Sequence, residues 1–292
     1  MTTTNDLRPT EAADRQRRRN RRWWTALLGV VAFSFAILLF MGNEIRVNKP
    51  PIPTQVVDTD GTVLMTGEDI VEGQKIWQSI GGHQIGSVWG HGAYVAPDWT
   101  ADMLHRELVH VLDGYAEQEG ADSYETLDPE RQAALKERLK GAVRTNTYDP
   151  VTGTVTIDAL RTEAWELNSA HYAQVFSEGN EPYAIPDGTL TDPEQLQQMS
   201  NFFWWSAWAA STEAPGKDAT YTQNWPHEPL IDNVPTPGNI LWSIISFILL
   251  LGGIAALVWY HNYHADDDEL PRILRSTTRC SVTGPPPRRE RR

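Results

Sequence analysis

The chain has 292 residues, with 25 lysines and arginines against 38 aspartates and glutamates, a formal net charge of −13, and one cysteine, Cys280. That length suits one or two domains. The acidic balance argues against a nucleic-acid partner, and a lone cysteine excludes a disulfide framework, a multi-cysteine zinc site and a CxxCH haem attachment.

A basic N-terminus, residues 1–22, carries Arg15, Arg17, Arg18, Arg19, Arg21 and Arg22 in the run DRQRRRNRR. An uncharged apolar run follows at residues 23–42, WWTALLGVVAFSFAILLFMG. About 20 apolar residues rising ~1.5 Å each cover the ~30 Å hydrocarbon core, so this run predicts a membrane-spanning helix with Trp23 and Trp24 at one interface. A cleaved signal peptide is the alternative, but the run is long for one. The next residues, Asn43, Glu44, Ile45 and Arg46, offer no small-residue cleavage site.

Residues 43–238 form the central domain. Thirty of the acidic side chains but only 11 of the lysines and arginines fall between Glu44 and Gly238. A solvated surface is the simpler account of that excess, and a basic protein partner the other. Asp60-Gly61 between β-branched runs predicts a hairpin pairing Val56–Val57 with Thr62–Leu64. Gly67–Ile80 reads as a helix with Ile70, Val71, Ile76 and Trp77 inward, ended by Gly81-Gly82. Asp98 opens a helix with Leu104, Leu108, Val111, Leu112 and Tyr115 buried. Asp128–Val143 predicts a charged outer helix whose apolar positions are Ala133, Ala134, Leu135 and Leu139. NTYDPVTGTVTID, with Asp149-Pro150 and Gly153 in its turn, predicts a second hairpin. Asp158 then caps a long helix expected to bury Leu160, Trp165, Leu167, Tyr172 and Val175. Thr191 or Asp192 caps a last helix with Pro193 in its first turn. Its FFWWSAW segment, Phe202–Trp208, is aromatic on every side. It suits either a core or a flat platform, interfacial collar or subunit contact.

Residues 239–260, NILWSIISFILLLGGIAALVWY, predict a second span, followed by a tail at 261–292. Arginines flank both spans on their outer sides, the tail contributing Arg272, Arg275, Arg279, Arg288, Arg289, Arg291 and Arg292. Both termini are therefore expected in the cytoplasm and the centre outside it, in the cell membrane. Neither span contains a His, Asp, Glu, Lys or Arg, so both read as anchors without haem or ion sites. The fold class expected is thus a mainly α membrane protein, with two transmembrane helices flanking a helix-rich extracytoplasmic domain that has two small β-hairpins. His83, His91, His105 and His110 lie near one another in sequence, but His105 and His110 are five residues apart and do not share a helix face, so a metal centre is not expected of them.

Five segments, GQKIWQSIGG (Gly73–Gly82), GSVWGHGAYVAPDWTADMLHRE (Gly86–Glu107), NTYDPVTGTVT (Asn146–Thr156), FFWWSAWAAST (Phe202–Thr212) and YTQNWPHEPLIDNVPT (Tyr221–Thr236), resemble in order the N-terminal region of the quinol-dependent, single-chain nitric oxide reductases of the haem–copper oxidase superfamily. The resemblance runs from Arg22 to about Asp268. It implies a cytochrome-c-like external domain without haem, in an enzyme of denitrification that reduces NO to N₂O with electrons from quinol. With Trp77 and Tyr94 aligned to the haem-bearing branch, Gly82 and Ile85 take the cysteine positions and Gly86 that of the axial histidine. Shifted so that SIGGH overlays CxxCH, Ser79 and Gly82 replace the cysteines and His83 survives. In relatives the carbonyl of the tyrosine matching Tyr94 helps bind a structural calcium.

The resemblance also implies partners and cofactors. Haem b, haem b3, non-haem iron and calcium belong to a full-length relative, whose catalytic helical bundle also binds quinol. None of the histidine-bearing catalytic helices is in these 292 residues, so no cofactor and no catalytic residue is expected in this chain, which is expected to be inactive alone. The resemblance ends near Pro271, and RILRSTTRCSVTGPPPRRERR then reads as an aberrant, truncated or frame-shifted tail. Membrane lipid is an expected partner and a homodimer is left open. Two rival functions are a non-enzymatic membrane protein that docks on another chain through Phe202–Trp208, and a haem carrier using His83 or His91 with Met199.

Overall fold

The computed structural model describes residues 9–277, apart from the side chains of residues 9–13, 15, 16, 239 and 263–277. Cys280 and the arginines from Arg279 onward lie outside the described residues. The chain divides into two compact units, Met1–Val234 and Pro235–Arg292. In the second, α8 (Pro237–Thr277) contains Ile240–Asn262, long and apolar enough to cross a membrane.

The first unit opens with α1 (Pro9–Asn48), whose stretch Arg17–Asn48 meets the same test. The helix outruns the expected span at both ends because neither flank carries a helix breaker. Where α1 ends, two hydrogen bonds tie it to the domain: Lys217 Nζ donates to Asn48 Oδ1 (2.6 Å), and Trp205 Nε1 donates to the Pro51 carbonyl (2.9 Å).

Both hairpins form, β1 (Gln55–Val57) with β2 (Val63–Thr66) and β5 (Tyr148–Asp149) with β6 (Thr154–Thr156). In the first, Val56 pairs with Met65 and Val57 with Val63, across a register shift. The hairpins are not separate: β1 runs parallel to β6, giving one four-stranded sheet of order β2-β1-β6-β5. A lone hairpin is marginal in water. Joined, the pair buries Val56, Met65 and Val155 on a shared face. Backbone N–H groups stabilise the turn carboxylates. Thr62 lowers the Asp58 pKa, and Val151 that of Asp149, below the usual carboxylate value.

Five longer helices carry caps that their sequences announce. Thr66 and Asp69 form a capping box on α2 (Gly67–Ser79). Asp98 caps α4 (Trp99–Gln118), after the one-turn α3 (Gly82–Ile85). Asp128, Asp158 and Asp192 cap α5 (Pro129–Arg144), α6 (Ala159–Ser177) and α7 (Pro193–Ser211).

α7 is the centre of the domain. Every residue from Met199 to Ser211 is buried, because α2, α4 and α6 surround it. Gly73 brings α2 against it so closely that any side chain there would strike the Gln198 carbonyl. Trp99 of α4 stacks on Phe203 of α7 (5.5 Å, 13°), and Tyr172 of α6 meets Phe203 edge-on (5.3 Å, 76°). Each buried aromatic contributes about 1.5–3 kcal/mol, and such pairs add roughly 0.5–1.5 kcal/mol.

On α6, Tyr172 and Val175 are buried as expected, but the first half of the expected inward face is displaced. Leu167 is 57% exposed, and Leu160 and Trp165 are only partly buried. Arg161 and Asn168 point inward instead. Arg161 Nε donates to Glu107 Oε1, with both side chains at most 3% exposed, and Asn168 Nδ2 donates to Met103 Sδ (3.2 Å). On α5, Ala133 and Ala134 are exposed, and Leu135, Leu139 and Val143 form the buried stripe.

Removing one member of a buried ion pair strands the other charge. Glu107→Ala is expected to destabilise the domain by about 3–5 kcal/mol in denaturant titrations. Glu107→Leu combined with Arg161→Met is expected to recover most of that loss, and equal destabilisation by the pair replacement would contradict this.

Candidate functional site

The stretch Gly81–Trp99 is a pair of tight turns hung on the start of α4. After α2, Gly81 takes a left-handed conformation (φ 77°) and redirects the chain into α3. β3 (Ser87–Val88) and β4 (His91–Gly92) then pair around a two-residue turn, Trp89-Gly90. Both turn residues have positive φ, 53° and 77°, as the tight hairpin turn requires. Sequence reasoning finds no hairpin here because tryptophan is a poor candidate for such a backbone. Tertiary contacts hold it: Trp89 Nε1 donates to the Ser206 carbonyl (2.9 Å), and its N–H donates to Thr100 Oγ1 (3.2 Å). Its ring also lies against Trp205 (5.4 Å).

Asp98 closes the assembly. Oδ1 accepts the Ala101 N–H (3.1 Å) as the α4 cap. Oδ2 accepts Ser87 Oγ (2.8 Å) and the Gly90 N–H (2.6 Å). One carboxylate thus satisfies a helix terminus, a strand and the hairpin turn, at the helix end where negative charge is favoured.

The expected haem-attachment positions do not converge on a cavity. Ser79 is exposed and donates to the Ile76 carbonyl (2.8 Å). Gly82 is buried, and a Cβ there would run into the Trp77 indole. His83 is exposed, with its ring edge-on to Trp77 (4.3 Å). Ile85 packs partly against the core. A Cβ on Gly86 would lie 2.6 Å from Trp99 Nε1 and 2.7 Å from the Pro97 carbonyl. The indole N–H groups of Trp77 and Trp99 are buried without partners among the described residues. The rings serve here by volume and not by hydrogen bonding. A thioether-linked haem does not fit these residues, which lack sulfur and begin where indole already stands.

The other candidates are dispersed. His91 is exposed on β4 and Met199 is fully buried. His105 Nδ1 pairs with Glu228 Oε2 (3.0 Å) and His110 Nε2 faces Glu163 Oε2 (3.5 Å). Among the described residues no three His, Cys, Asp or Glu side chains form a group that could hold a metal. Tyr94 is 90% exposed. The platform, collar and subunit-contact readings of Phe202–Trp208 need exposed rings. These rings are at most 8% exposed because α7 is enclosed by its neighbours, so the segment is core.

Hydropathy also misses a partly buried polar cluster around the buried Tyr172. Asp102 Oδ2 accepts both Tyr172 Oη (2.8 Å) and Arg106 Nε (2.9 Å). Burial, then the Asp102 charge, holds the Tyr172 hydroxyl well above its ordinary pKa, so it remains a neutral donor. Burial, then Arg106, lowers the pKa of the adjacent His171.

Two outcomes are expected. Asp98→Ala removes a cap and strands two donors, a loss of about 2–4 kcal/mol in thermal or denaturant unfolding, whereas Asp98→Asn is expected to lose less. His171 takes up a proton more readily unfolded than folded, so its contribution is complete above the unfolded pKa of about 6.5 and is lost as pH falls below it. His171→Gln should therefore flatten the decline in melting temperature on acidification, and an unchanged slope would contradict that assignment.

A family model for the cytochrome c-like domain of the nitric oxide reductase protein NorB matches residues 53–227. A comparison with curated proteins found no match. The matched region takes in the four-stranded sheet, α2 to α7 and the whole Gly81–Trp99 assembly, and it spans more than half of the chain. With an apolar helix on each side of it in the sequence, the chain belongs to the NorB family of nitric oxide reductases, and its centre is that family's cytochrome c-like domain.

Proposed function

We propose that this chain is the membrane anchor and extracytoplasmic domain of a quinol-dependent nitric oxide reductase. In the whole enzyme the reaction is 2 NO + 2 e⁻ + 2 H⁺ → N₂O + H₂O, with electrons from membrane quinol. The observation that carries this reading is the combination of a cytochrome c-like family match with tryptophan rings where haem attachment would begin. A domain built this way relays no electron. It covers the outer face of the catalytic helices and restricts water there, while a quinol delivers electrons elsewhere. Arginine bias supports a cytoplasmic position for both termini.

Within that assembly the backbone carbonyl of Tyr94 would supply one ligand to a structural calcium, as the resemblance implies. No catalytic residue is assigned to this chain.

Purified alone with reduced quinol, the chain is expected to consume no NO. Co-expressed with the catalytic membrane region of a quinol-dependent reductase lacking its own N-terminal part, it is expected to co-purify and restore quinol-driven N₂O formation. Failure to co-purify, or NO consumption by the chain alone, would overturn the proposal.

A further inference from the structure

α1 runs unbroken from Pro9 to Asn48, so Arg17, Arg18, Arg19, Arg21 and Arg22 continue the axis of the apolar span. All five are exposed. At the helical repeat they occupy an arc of about 200°. A basic helix lying on a bilayer surface needs an apolar face opposite its charges. Asp14–Arg22, DRQRRRNRR, contains no apolar residue. The segment therefore stands in the headgroup layer as a partial ring of charge, open on one side.

Dimensions agree with that placement. From Arg17 to Arg22 the helix rises about 7.5 Å, and the polar layer on each side of a bilayer is roughly 5–8 Å thick. Trp23 and Trp24, each 65% exposed, follow at once and mark the edge of the hydrocarbon. The five guanidinium groups thus fall at the depth of lipid phosphates, and each offers parallel N–H donors that match phosphate oxygens. A zwitterionic headgroup satisfies those donors but brings its own cation. An anionic headgroup leaves the arginine charge compensated.

We propose that this arginine ring binds anionic phospholipid headgroups and gathers them around the first span. The test uses the full chain in vesicles of phosphatidylcholine containing a minor share of phosphatidylglycerol, followed by mild detergent extraction and mass-spectrometric counting of the retained lipids. Phosphatidylglycerol is expected to be enriched about fivefold over the supplied ratio. Replacing all five arginines with glutamine (Arg17→Gln, Arg18→Gln, Arg19→Gln, Arg21→Gln and Arg22→Gln) should return the ratio to that of the vesicle. Because such a variant can fail to insert, the unmodified chain is also extracted at low and high salt, where enrichment should fall as salt rises. Retention at the supplied ratio by the unmodified chain, or enrichment indifferent to both salt and substitution, would overturn the proposal.

Discussion

Two indole rings lying against the backbone of two glycines set the form of the central domain. Gly82 and Gly86 carry no Cβ, and Trp77 and Trp99 occupy the space that one would need. Each ring is at most 2% exposed, and each belongs to a helix packed on α7. The contact therefore fixes α2, the Gly81–Trp99 stretch and α4 relative to one another. A larger residue at either glycine would force an indole away from the aromatic core, where close packing leaves little room for relaxation.

A domain of this size must bury apolar area to fold. Here α7 supplies it, with Phe202, Phe203, Trp204, Trp205 and Trp208 enclosed by α2, α4 and α6. Asp98 then holds the turns that such a stretch leaves behind. The Trp205 and Lys217 hydrogen bonds to the chain leaving α1 join that rigid core to the membrane segment.

Local chemistry was legible in the sequence. Asp98, Asp128, Asp158 and Asp192 open helices because capping depends on a few neighbouring residues, and the apolar spans follow from length and composition. Features that depend on distant partners were not legible. The parallel pairing of β1 with β6 joins segments far apart in the chain. α6 turns Arg161 and Asn168 inward because Glu107 and Met103 satisfy them, and no hydropathy pattern on α6 alone records that. Trp89 holds a positive φ only because Ser206, Thr100 and Trp205 are waiting for it. The aromatic run of α7 was visible, but not whether other helices or a partner would cover it. At the expected haem-attachment positions, the residue identities and the filling of that space by aromatics were legible; that the rings beside Gly82 and Gly86 are those of Trp77 and Trp99 was not.

The most direct test is the absorption spectrum of the full-length chain, purified from cells with active haem synthesis and c-type haem maturation. With no cysteine at the attachment positions and the Trp77 and Trp99 rings against them, the account predicts ultraviolet aromatic absorption, no Soret band and cooperative melting. A Soret band corresponding to one haem per chain would show that the space is not filled as described and would contradict the account.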